Sequence, residues 1–184
     1  MKKIILTIMS LTIMLSAEVL PLYKTSLGLV GGLGELQYHS EKKSALIGGL
    51  TWRTEKRISH SNFYYGVGID FIQSDKFNLG TINGKRVNAE YNSIGLYPTI
   101  GYNFSRNLST NIMIGGAYNK FELKYDSIEG SESKVGLLYG ASIDYKLGNS
   151  LTNGLMYRGT SHSIDGLNKD LKTNSLLYRI GISF

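Results

Sequence analysis

Between Leu176 and Phe184 the chain alternates. Leu176, Tyr178, Ile180, Ile182 and Phe184 are apolar or aromatic, and Ser175, Arg179, Gly181 and Ser183 between them are small or polar. Successive side chains of a strand leave the backbone on opposite sides, so a period of two gives one apolar and one polar face. This pattern recurs along the chain and sets the fold class expected of it, an all-β one. The 22 glycines and 13 tyrosines against two prolines agree with many short strands, since glycine weakens helices and tyrosine suits a pleated, half-buried surface.

Eight alternating segments are expected. The first, about residues 23–38, has Leu27, Leu29 and Leu33 on one face, and its Gly31-Gly32 step predicts a bulge. The second, about 44–54, carries Leu46, Leu50 and Trp52 opposite Ala45, Gly49, Thr51 and Arg53. The third, about 62–72, sets Phe63, Tyr65, Val67, Ile69 and Phe71 against Tyr64, Gly66, Gly68 and Asp70. In the fourth, Ile94, Leu96, Pro98, Ile100, Tyr102 and Phe104 share a face. Proline cannot donate to a sheet ladder, so Pro98 predicts a bulge or kink there. The fifth runs from about Leu108 through Ile112, Ile114 and Tyr118. The sixth runs over about 135–147, with Asp144 on its small-residue face. The seventh, about 151–158, ends in Arg158, and the eighth is the terminal strand.

Connections alternate in length. Residues 55–61, 105–107 and 148–150 make short or moderate turns, whereas 73–90, 126–133 and 161–171 are longer and more polar; the first connection, 40–43, is short and departs from the trend. Asn83-Gly84 inside the longest connection is a two-residue hairpin signal, so the third and fourth strands should continue as a ribbon. At the other end of the chain, Lys2 and Lys3 precede an apolar run from Ile4 to Leu15 and a small-residue step at Leu15-Ser16-Ala17. That is the layout of a cleaved signal peptide, and the run is too short for a spanning helix. Residues 1–17 are therefore expected to be a signal peptide and 18–184 one β-barrel domain.

The polar faces are dominated by Gly, Ser and Thr rather than by the dense charge of water-facing strands, and small residues suit the narrow interior of an eight-stranded barrel. The apolar faces then point into lipid, and aromatics gather near one set of strand ends as a girdle: Trp52, Phe63, Tyr102, Phe104 and Tyr145. With the even strand count, the alternating connection lengths and the terminal strand ending in Phe184, the chain resembles the small eight-stranded bacterial outer-membrane β-barrels of the OmpA/OmpX and opacity-protein type. The resemblance covers residues 18–184. It implies a closed, antiparallel up-and-down meander in the outer membrane of a Gram-negative cell, with both termini periplasmic. It also implies that Leu176, Tyr178, Ile180, Ile182 and Phe184 form the signature read by the barrel-insertion machinery. Outer-membrane lipid and lipopolysaccharide are the implied surroundings, an extracellular ligand the possible partner, and the monomer the implied state.

Charges on the small-residue faces would be buried in such a barrel. Asp70 and Arg158 lie about eight residues from the short-turn ends of their strands, and Asp144 and Arg179 about four to five, so each acid shares a level with an arginine. Two interior layers are expected, Asp70 with Arg158 and Asp144 with Arg179, because an unpaired charge in a tight interior is costly. Arg53 and Lys146 are expected nearer the rim, hydrated.

Other chemistry finds little support. Cysteine is absent, which excludes disulfides, thiolate metal sites and cysteine nucleophiles. Histidines 39, 60 and 162 are scattered and give no metal signature, and no cofactor is implied. Basic residues form no stripe, so nucleic acid is a poor partner. Small barrels of the lipid A deacylase type use a histidine and a serine two residues apart, whereas His60-Ser61 and His162-Ser163 are adjacent and point to opposite faces of a strand. Asp165 near His162 leaves a loosely assembled triad as a remote enzymatic reading. The favoured expectation is a non-enzymatic barrel acting in envelope structure or surface interaction through its loops. The alternatives are a narrow gated or transporting pore and, lower, a lipid A-modifying enzyme.

Overall fold

The computed structural model describes residues 22–38, 41–82, 84–125, 128–163 and 170–184. The expected signal peptide and Asn83 lie outside them. The described residues form strands β1 (Tyr23–Tyr38), β2 (Glu41–Arg57), β3 (Phe63–Ser74), β4 (Phe77–Ile82), β5 (Lys85–Asn103), β6 (Leu108–Tyr125), β7 (Ile128–Leu147), β8 (Leu151–Ser163) and β9 (Asp170–Ser183).

Neighbouring strands pair antiparallel in chain order. β9 pairs back onto β1 from Ser26↔Ser183 to Gln37↔Lys172, and β5 pairs with both β3 and β4. β3 and β4 are thus consecutive lengths of one stave, and the sheet closes as an eight-stranded barrel. Phe184 extends the seam, since its N–H and C=O exchange 2.9 Å bonds with Thr25. Closure leaves no open edge within the wall, as a spanning sheet requires where no water can satisfy its backbone.

The strands reach further than alternation alone shows. Residues expected as the long loops 73–90 and 126–133 are largely strand: β4 pairs with β5 up to Ile82↔Lys85, and β6 with β7 up to Tyr125↔Ile128. Polar composition marks these lengths as water-facing, not as irregular. The turn after β4 holds Gly84 at φ 78°, which suits glycine.

The expected bulge at Gly31-Gly32 is absent, and the irregularity expected at Pro98 is an interruption of the ladder rather than a bulge. The β1 register with both neighbours is unbroken through Gly31 and Gly32, so there is no bulge. A Cβ on Gly32 would overlap the Leu176 carbonyl, and glycine there allows a close approach of β9. At Pro98 the β5–β6 ladder skips Tyr97 and Pro98 and resumes at Thr99↔Met113 in the same register. The missing N–H costs a local interruption and inserts no residue.

Outward-facing apolar side chains form a continuous belt, from Phe63 to Phe71 on β3 and from Ile182 to Leu176 on β9. Along β3 the belt covers about 26 Å at about 3.3 Å per residue, or about 20 Å once strand tilt is allowed for. Above it the same outward positions turn polar at Glu35, Lys42, Gln73, Lys120 and Lys172. A tall apolar belt on the outside of a closed barrel is a lipid-facing surface. Trp52, Phe63 and Tyr145 are exposed on it. Phe63 meets Tyr102 edge-on at 4.8 Å, and Tyr102 meets Phe104 at 5.0 Å. At the opposite border Tyr139 and Tyr157 both donate to Asn174 Oδ1, at 3.3 and 2.8 Å. Leu176, Tyr178, Ile180, Ile182 and Phe184 all lie exposed along β9 and its end.

Candidate functional site: a charged interior open at one end

The inward positions build two ionic networks. In one, Arg158 from β8 holds Asp70 of β3 with both prongs of its guanidinium, Nε and Nη2 each donating at 2.9 Å. The same guanidinium donates to Ser93 Oγ at 2.8 Å and Tyr91 OH at 3.2 Å, and both hydroxyls donate to Asn119 Oδ1 at 2.9 Å. Paired forks of this kind match carboxylate geometry and satisfy charges that water cannot reach.

Near the short turns, Asp144 of β7 takes two arginines. Arg179 Nη1 lies 3.2 Å from Oδ1, and Arg53 Nη2 lies 2.6 Å from Oδ2. Thr51 and Ser26 accept the remaining Arg179 donors at 2.9 and 3.0 Å, and Ser142 accepts from Arg53 Nη1 at 2.9 Å. The expectation of a hydrated Arg53 is corrected here: it is 3% exposed and completes a triad. Its backbone does lie toward the short-turn end, but the long stem carries the charge to Asp144 Oδ2, which otherwise accepts only from the neutral Asn111 Nδ2 at 3.2 Å and Ser142 Oγ at 3.1 Å. Glu55 is also buried inward and accepts from Thr99 Oγ1 at 3.0 Å, a site the alternation did not single out.

Apolar side chains occupy the rest of the inward face. Met113, Met156 and Leu177 stand on their strands between the two networks, and Ile47, Ile72, Phe77, Ala89 and Leu171 lie on the β4 side; all are buried. Ile47, Ile72, Met113, Met156 and Leu177 occupy positions that alternation assigns to the polar face, and Phe77, Ala89 and Leu171 fall in stretches expected as connections. The signal for Ile47, Ile72, Met156 and Leu177, and for buried Leu138, was present as apolar doublets, Leu46-Ile47, Phe71-Ile72, Leu137-Leu138, Leu155-Met156 and Leu176-Leu177, which give both faces an apolar side chain.

At the short-turn end the interior opens into a cavity of about 470 Å³. Lys24, Arg53, Arg106, Lys146 and Arg179 line it against the single carboxylate of Asp144. Lys146 is thus at the opening, and Lys24 donates to Ser109 Oγ at 3.1 Å.

Of the two histidine–serine candidates, only His60-Ser61 lies wholly within the described residues. His60 is exposed in the β2–β3 turn at φ 56°, and Ser61 Oγ is engaged in that turn with Ile58 O at 2.9 Å and Phe63 N–H at 3.2 Å. His39 and Asp165 and the side chains of His162 and Ser163 lie outside what is described. Among the described residues no group of His, Asp and Glu is placed to hold a metal. On the long-hairpin end, Lys120 donates to Glu122 at 2.6 Å, and that bond holds the Glu122 carboxyl below its ordinary value.

A sequence model of the outer membrane protein beta-barrel domain matches residues 7–184. Among solved structures the chain is similar to Ail, the attachment invasion locus protein of Yersinia pestis, at 15% identity and TM-score 0.60 over 88% of this chain and 98% of that one. Ail is also known in complex with the heparin analogue sucrose octasulfate. The Neisserial surface protein A aligns at 9% identity and TM-score 0.62 over 91% and 100% of the two chains. The N-terminal β-barrel domain of Pseudomonas aeruginosa OprF aligns at 10% identity and TM-score 0.53 over 86% and 97%. At such identities the likeness is one of fold. No curated protein matches the chain. The closed barrel with its lipid-facing belt and the match across residues 7–184 agree: the chain belongs to the outer membrane protein beta-barrel domain family.

Proposed function

We propose that this integral outer-membrane barrel is non-enzymatic and sealed, and that its role is carried at the cell surface by the hairpins that rise beyond the lipid. The observation that carries this reading is the packing of the interior: Met113, Met156 and Leu177 are buried between the two ionic networks, Leu138 is wholly buried beside the upper one and Ile72 and Phe77 on the β4 side of it, and together they leave apolar atoms where a conducting path would need water. The buried Asp70–Arg158 pair and the Asp144 triad, each braced by further hydrogen bonds, fit a fixed plug better than a moving gate. Short turns in such barrels face the periplasm and long hairpins the exterior, so the β4–β5 and β6–β7 ribbons are the parts offered to the medium. That the related fold of Ail has been seen with a heparin analogue is consistent with surface loops of this architecture meeting polyanions, and outer-membrane lipid and lipopolysaccharide surround the belt.

The test compares cells lacking the protein with cells carrying either the full chain or a variant whose β4–β5 hairpin is cut back to a two-residue turn at the top of β3. A surface-interaction role requires the trimmed barrel to assemble and restore detergent resistance but not adhesion. Full restoration of adhesion by the trimmed barrel would assign the role to the barrel wall and envelope integrity. A conducting or lipid-modifying barrel would contradict the proposal altogether.

A further inference from the structure

The periplasmic cavity is unlike the rest of the interior. Above it Asp70 and Arg158 meet as a pair; here Lys24 and Lys146 line a cavity in which the one lining carboxylate among the described residues, Asp144, already holds Arg53 and Arg179. Buried Glu55 also acts on Lys24 and Arg53, but two carboxylates do not balance Lys24, Arg53, Lys146 and Arg179, so the described residues leave excess positive charge within low-dielectric walls, which focus a field on an incoming anion. Thr152 gives a second, independent sign. Its side chain lines the cavity, is 3% exposed, and its Oγ1 has no hydrogen-bond partner among the described residues. A buried hydroxyl without a partner costs stability in a site built only for packing. Asn103 and Asn149 also line the cavity, and carboxamides offer both donors and acceptors of the kind that hydroxyl groups pair with. The volume of about 470 Å³ lies in the range of small-molecule sites.

We propose that this vestibule is a periplasm-facing binding site for a small phosphorylated sugar, with Lys24 and Lys146 on the phosphate and the asparagine and Thr152 groups on sugar hydroxyls. This goes beyond the surface role, since it faces the other side of the membrane and needs no passage through the barrel.

The test is calorimetric titration of the refolded barrel in detergent micelles, its folding checked by heat-modifiable gel mobility. Uridine diphosphate glucose is the probe, with inorganic pyrophosphate and glucose as controls. Saturable binding of the probe is expected, tighter than pyrophosphate, with glucose alone silent. Lys24→Met and Lys146→Gln should each weaken it about tenfold or more, the effect of one lost charge-assisted hydrogen bond; Lys146 sits at the rim, so its variant keeps the test valid if the Lys24 variant does not fold. Lys42→Gln, on the extracellular side, should leave binding unchanged. No saturable binding by folded wild type, equal binding by the Lys146 variant, loss in the Lys42 variant, or pyrophosphate binding as tightly as the probe would each overturn the assignment.

Discussion

Arg158 and Asp70 face one another across the barrel in a two-pronged pair, with Nε and Nη2 each 2.9 Å from one carboxylate oxygen. Neither side chain reaches water. Removing one partner strands the other, so Asp70→Asn and Arg158→Met should each cost about 3–5 kcal/mol. The combined Asp70→Leu, Arg158→Leu variant should cost clearly less than the sum of the two, because no charge is left unpaired. Urea unfolding of the barrel in lipid vesicles measures this; near-neutral single variants would contradict it.

Asp144 is shared, which makes the lower network asymmetric. Arg53→Met leaves the Asp144–Arg179 pair standing, whereas Asp144→Ala leaves two guanidinium groups with no anion between them. The acid variant should be the less stable by about 2 kcal/mol or more, measured in the same unfolding assay. An equal loss in both would mean that Arg53 does not depend on Asp144.

Gly95 supports the upper pair by having no side chain. A Cβ there would overlap Leu138 and lie 2.5 Å from Asp70 Oδ1. Gly95→Ala should therefore cost about 1–3 kcal/mol, and this loss should shrink in an Asp70→Asn, Arg158→Met background. Gly116, where a Cβ would meet only the Gly136 carbonyl at 3.9 Å, is the control and should tolerate alanine within about 0.5 kcal/mol.

The exposed belt inverts the usual rule for surfaces. Ile114 is 58% exposed, and in a water-soluble protein its replacement by arginine would be nearly silent. Against lipid at mid-height, Ile114→Arg should cost about 2–4 kcal/mol, while Lys42→Ala above the belt should not. A silent Ile114→Arg would mean that this face does not meet hydrocarbon.

The barrel wall was legible because parity survives everything that happens to a strand's neighbours: Leu27, Leu29 and Leu33 share the outer face straight through Gly31-Gly32, and no register slip disturbs them. Depth was less legible. Sequence spacing locates a residue's Cα along its strand, but Arg53 places its charge well away from its own Cα, and strand tilt sets which residues meet across the interior. The apolar plug was hidden for another reason, since Ile72 beside Phe71 blurs a period of two unless the doublet is taken as two apolar faces. The vestibule needed three dimensions: Lys24, Lys146 and Arg106 come from the first strand, the end of the seventh and a turn, and only closure of β9 onto β1 brings them together.

The sealed interior is the claim on which the proposed function stands, and single-channel recording in a planar bilayer tests it most directly. Refolded wild-type protein, with insertion verified by protease protection, is expected to give a flat baseline without discrete openings. Reproducible openings, altered in Asp70→Asn or Asp144→Ala, would show a water path through the apolar layer and contradict the account.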